Sequence, residues 1–342
     1  MLSDGVFLRH FLLYVYDICV PTDPEDEANM MWAHLRQLRE KAILRRQHFG
    51  HEPLAFIIWS ICELDLDACL LGSGQCDFVS TMRSECVLPS LQYPGYGPLD
   101  QAAGFPGDWQ IIQSLQNLKE GILLQLVTVA QTAQQCREAS KTTPTVPPSI
   151  RANWQATVSR LQHELGLFWS QNYPAFLGPE SPQAAAHLTP AARAIFEHAF
   201  LLYQTAIVYS RTSMFPAQRS IPLANQGDVQ TDTERRCLAV LTLASRYVDE
   251  GLIERRYIVF PILLAGVATG QSVAKDRAIE MLRSMQGPVM GGIGQNTFRT
   301  WQLLSAVRQK QRDVAQQGGR IEDVDWLDLA RKSKLSVVNC GL

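Results

Sequence analysis

The 342-residue sequence has no apolar run long enough for a bilayer. A spanning helix takes about 20 apolar residues. The most apolar stretch, Tyr257 to Ala268 within "ERRYIVFPILLAGVATG", has 12, with Glu254, Arg255 and Arg256 just before it. At the N-terminus, "MLSDGVFLRHFLLYVYDIC" carries Asp4 before its apolar part and Asp17 inside it. It has neither a basic head nor a small-residue cleavage site, so no signal peptide is expected. Charge is also scarce, at 19% of residues with a net charge of −2, against a usual share of about 25%. That balance excludes the basic stripe of a nucleic-acid binder and the acidity of a solvating tail. There is no N-x-S/T glycosylation site, and the eight cysteines contain no closely spaced pair. Free thiols in a soluble, intracellular chain are expected.

Cys62, Cys69, Cys76 and Cys86 pose a metal question. The gaps between them are six, six and nine residues. Zinc sites usually open with two cysteines about two to four residues apart. The spacing instead sets Cys62 and Cys69 on one face of a helix, and no metal is expected.

What is present is helical periodicity. Phe11, Val15 and Ile18, with Leu12 and Cys19 beside them, mark a first helix ending near Pro21. Pro24 and the acids Glu25, Asp26 and Glu27 suit the start of a second, and Lys41, Arg45 and Arg46 its end. Trp59, Cys62, Leu66 and Cys69 trace a third, stopped at Gly72 and Gly74. A Gly/Pro-rich stretch, "LPSLQYPGYGPLDQAAGFPGDW", reads as a long loop, either a lid or a hinge. Ile112, Leu115, Leu118, Ile122 and Leu126 line a long helix after it.

The break "SKTTPTVPPSI" is the best linker candidate, between halves 1–140 and 149–342. Helices follow to about Asn172, then through Phe196, Phe200, Tyr203 and Ile207, and through Cys237, Leu241, Ala244 and Val248. Tyr257–Ala268 is apolar all round, which marks a helix buried on every side, with Pro261 tolerated near its first turn. Ala274, Ala278, Met281, Leu282 and Met285 share a face, Asn296 or Thr297 can cap a further helix, and a short segment surrounds Trp326. Strand signals are few and no tandem repeat stands out. The expected fold is all-α: one large multi-helix domain around the buried helix.

Chemistry-bearing motifs each have a plain alternative. "GPVMGGIGQNT" can cradle a phosphate at a helix start, but it matches no phosphate-binding fingerprint, and a tight turn serves as well. Glu63 and Asp67, four apart on a helix, can do acid–base work or bind a hard cation; a solvated face is the simpler reading. The seven histidines, His48 and His51 of "HFGH" included, form no recognisable catalytic set. In "YSRTSMFPAQR", Arg211 and Arg219 beside Tyr203 and Tyr209 can bind an anionic or aromatic ligand, or else answer a helix dipole.

Five stretches taken together carry a resemblance: "FLLYVYDICVPTDPEDEANMMWAHLRQL", "AFIIWSICELDLDACLLG", "LLYQTAIVYSRTSMFPAQR", "RRYIVFPILLAGVAT" with "AIEMLRSMQG", and "IGQNTFRTWQLLSAVRQKQ". In this order they resemble the large C-terminal regulatory region of fungal binuclear zinc-cluster transcription factors. The resemblance implies an all-helical fold and a nuclear regulator of a metabolic or natural-product gene cluster, with a cytoplasmic location as the alternative. The family reads DNA through a six-cysteine cluster. That cluster has no counterpart among these residues, so its zinc ligands carry over to no position and no base-specific DNA contact is expected. The expected partners are a DNA-binding transcription factor or a second copy of the chain, with a small-molecule effector. Trp59, Tyr203, Arg211 and Trp301 are the candidate pocket for that effector. No cofactor and no catalytic residue are expected. The alternative is a helical shell reused as a metabolite-binding protein or biosynthetic enzyme.

Overall fold

The computed structural model describes residues 3–19, 24–50, 52, 54–89, 109–142, 146–181, 183–221, 226–251, 257–286, 293–333 and 335. Among them the chain is all-α, with twelve α-helices and no strand. Residues 90–108 of the expected lid or hinge, 143–145 of the Pro/Thr break and 287–292 of the glycine-rich stretch lie outside the described residues.

The first unit is a helix pair, α1 (Asp4–Cys19) on α2 (Pro24–Phe49). The buried face of α1 is Phe7, Tyr14 and Ile18, while Leu12 is 63% exposed. Arg45 does not serve as a helix-end cation, because α2 runs on to Phe49. Its side chain is fully buried. It donates twice to Glu52, at 2.9 Å each, and at 2.7 Å to Asp4. A buried guanidinium keeps its charge only when carboxylates answer it in this way.

Next come α3 (Ala55–Leu70) and a short helix, α4 (Asp77–Ser84), that the sequence pattern did not mark. Asp65 explains it. Its fully buried carboxylate accepts from the backbone N–H of Phe78 at 2.9 Å and Val79 at 3.1 Å. The N-terminus of α4 is thus capped from another helix rather than from its own sequence. Burial pushes the Asp65 carboxyl up to about 7 against those two N–H bonds.

The core is built from α5 (Trp109–Thr142), α6 (Pro148–Asn172), α7 (Pro190–Thr212), α8 (Gln226–Glu250), α9 (Val259–Ala268), α10 (Ser272–Ser284) and α11 (Ile293–Gln316); α12 (Trp326–Lys332) closes the chain. Helix α5 packs along α7 across the Pro/Thr break, and one cluster of buried side chains runs from Phe7 to Ala330. All ten residues of α9 are buried, and α7, α8, α10 and α11 all pack against it. This is the helix expected from the all-round apolar run. Its approach to α10 and α11 is close: a Cβ on Gly266 would stand 2.9 Å from Leu304 Cδ2 and 3.0 Å from the Ala278 methyl.

A helix buried at its end must satisfy its last carbonyls. Here Lys275 Nζ donates to Gly266 O at 3.1 Å and Val267 O at 3.3 Å, and Arg219 donates to Ala268 O at 3.0 Å. Two cations therefore face the negative end of the helix dipole. Burial pulls Lys275 down to about 8. Asn296 does not cap α11, which begins at Ile293. It lies inside the helix and donates to Ile18 O at 3.0 Å, tying α11 to the end of α1.

Candidate functional site

The helices leave a cavity of about 220 Å³ at the start of α9. Its wall is mainly apolar. Phe11, Leu12 and Val15 come from α1, Leu64, Leu66 and Leu70 from α3, Leu126 from α5, Leu201 and Leu202 from α7, and Phe260 and Pro261 from α9. The residues of α1 that the sequence placed on the core face, Phe11 and Val15, are thus half-buried against this space.

The polar groups of the wall are Ser60, Glu63, Asp67, His198, Thr205 and Tyr257. Glu63 accepts from Lys119 Nζ at 3.1 Å. The expected solvated face of α3 is therefore a half-buried cavity edge, with Glu63 in an ion pair. The His198 and Tyr257 rings stack at 4.0 Å between centroids. Both rings also face a second cavity of about 200 Å³, with Gln116, Lys119 and Tyr247 in its wall. They form a partition between the two spaces. Thr205 is 2% exposed, and its hydroxyl meets no partner among the described residues. A buried hydroxyl without a partner carries a desolvation cost that a ligand or water removes. Beside Lys119, burial pushes the Glu120 carboxyl up to about 8, Lys119 opposing and Glu63 adding to the rise.

Such a site can hold a small, mostly apolar molecule with one hydrogen-bonding group. His198 and Thr205, one histidine and one threonine on a largely apolar helix, gave no signal in the sequence. Only the fold, which brings residues of α1, α3 and α7 to the wall of one cavity, reveals them.

The four residues expected to form an effector pocket do not meet in one place. Trp59 is buried in α3 and donates to Pro89 O at 3.3 Å. Tyr203 stacks flat on Trp169, centroids 4.3 Å apart, with the Arg236 guanidinium 5.3 Å from its ring. Arg211 donates to Asp232 at 2.6 Å. Asp232 also accepts from Arg236 at 2.8 Å, so Tyr203 and Arg211 share one network between α7 and α8. Trp301 stacks on Phe298 at 5.6 Å in α11. Of the four, Arg211 alone lines a described cavity, a third one distinct from the two above.

Among the described residues, no group of three His, Cys, Asp or Glu side chains is placed to hold a metal ion. Cys62, Cys69 and Cys76 are buried and Cys86 is exposed. No described helix is long and apolar enough to cross a membrane. No family model, curated protein or solved structure matches the chain.

Proposed function

We propose that this chain is the effector-sensing domain of a transcriptional regulator of a metabolic or natural-product gene set. It acts in the nucleus through a protein partner, either a DNA-binding transcription factor or a second copy of itself. The regulatory part of the reading rests on the five ordered stretches quoted above. The sensing part rests on one observation: the apolar cavity includes Tyr257, Phe260 and Pro261, the entry to the buried helix. A molecule seated there touches an element on which four other helices pack. A ligand that favours one arrangement of those helices shifts their population, and a partner surface reads the shift.

Glu63 and His198 in the same wall favour a second reading, a metabolite-binding protein or biosynthetic enzyme built on the same shell. Deleting the gene in its host, with neighbouring transcripts and metabolites profiled from one culture, separates the two. The regulatory reading predicts that a set of transcripts rises or falls together. Steady transcripts with one accumulating intermediate would contradict it.

A further inference from the structure

The turn that follows α7 borders the third cavity, of about 400 Å³, between α6, α8 and the segment before α12. Among the described residues, three arginines line it, Arg211, Arg219 and Arg320, against one carboxylate, Glu322. The protein's own acceptors do not use up these guanidiniums. Arg211 donates through Nη1 to Asp232 and Thr233, but its Nε is buried and meets no partner among the described residues. Asp232 is itself divided among Arg211, Arg235 and Arg236. Arg219 spends one nitrogen on Ala268 O, and among the described residues no carboxylate pairs with it. Arg320 lies 3.8 Å from Glu322 and donates at 3.3 Å to Arg219 O. Burial holds both Arg211 and Arg219 below the ordinary arginine pKa, a cost that an anion would offset. Gln155 and Gln162 of α6, two helical turns apart, also line the cavity and add amide groups.

We propose that this cavity binds a small oxyanion-bearing metabolite, its carboxylate or phosphate held by Arg211 and Arg219, with Gln155 and Gln162 of the same lining donating their amides. Guanidinium forks suit either group, because both present two oxygens in a plane. The site is separate from the apolar cavity and does not depend on it. Its occupancy reaches the core directly, since Arg219 also holds the last carbonyl of α9.

The test is calorimetric titration of the full purified chain with citrate and, separately, inorganic phosphate, at constant ionic strength. The expected result is saturable one-to-one binding of at least one probe. Citrate alone binding assigns a carboxylate, and phosphate alone assigns a phosphate. The double variant Gln155→Glu/Gln162→Glu places two carboxylates in the wall and is expected to weaken binding about tenfold or more, as like-charge juxtaposition does. Its circular dichroism should match the parent. If that variant does not fold, Arg320→Gln, which changes a half-exposed side chain, is expected to weaken binding about threefold, within the range for a partly screened charge. No saturable binding of either probe, or unchanged binding in the folded variants, overturns the proposal.

Discussion

Gly266 is the point where α9, α10 and α11 come closest, and that closeness has a measurable consequence. An alanine there places its methyl 2.9 and 3.0 Å from the two Cδ atoms of Leu304 and 3.0 Å from the Ala278 Cβ. Leu304 is 1% exposed and Ala278 is fully buried, so neither can swing into solvent. Overpacking of this kind costs about 1–3 kcal/mol, while alanine gains roughly 1 kcal/mol over glycine in a helix. Gly266→Ala is therefore expected to destabilise by up to about 2 kcal/mol. Leu304→Ala alone leaves a hole and costs about 2–5 kcal/mol. In the double variant the new methyl enters the space that Leu304 vacates. Its cost should fall below the sum of the singles by about 1 kcal/mol or more, as for residues in direct contact. Urea unfolding followed by far-ultraviolet circular dichroism, with unchanged m-values, measures all three. Additivity within about 0.5 kcal/mol would refute the contact.

Two further substitutions probe the core. Leu263 is fully buried in α9, so Leu263→Asp strands a charge among apolar side chains and is expected to abolish folding; a soluble variant with parental circular dichroism would defeat the placement of this helix. Glu120 carries a proton in the folded chain up to about pH 8, whereas an ordinary glutamate releases it near 4.5. The folded state thus binds more protons across that window, and stability falls as pH rises through it, by a few kcal/mol at most. Glu120→Gln should flatten the fall and exceed the parent in stability at pH 8, read from denaturation midpoints between pH 5 and pH 8. A variant as pH-dependent as the parent would assign the effect elsewhere.

The legible parts of the fold were those that local pattern decides. Tyr257–Ala268 announces burial because no side of it is polar, and the seven-residue spacing of Cys62 and Cys69 marks one helical face. Helix α4 escaped because its cap, Asp65, is supplied from a helix earlier in the chain. Asn296 resembled a cap by residue type, yet its partner is the Ile18 carbonyl at the far end of the sequence. Arg45 looked like a helix-end cation until Glu52 and Asp4 enclosed it. The cavities were least legible. Their walls draw single residues from several helices, and no periodicity within one helix distinguishes a side chain facing a void from one facing a neighbour. The arginine cavity was half visible: Arg211 and Arg219 stand together in sequence, but Arg320 joins them only through the fold.

A reporter assay tests the central claim most directly. The chain is fused to an unrelated DNA-binding domain in its host, beside Leu202→Trp, which fills the apolar cavity from its α7 wall. If this is an effector-sensing regulatory domain, the fusion changes reporter output under conditions that supply the metabolite, and the Leu202→Trp fusion, expressed at the same level, stays locked at one output. A reporter indifferent to the fused chain, together with chemical conversion of a pathway metabolite by the purified protein, would contradict the account.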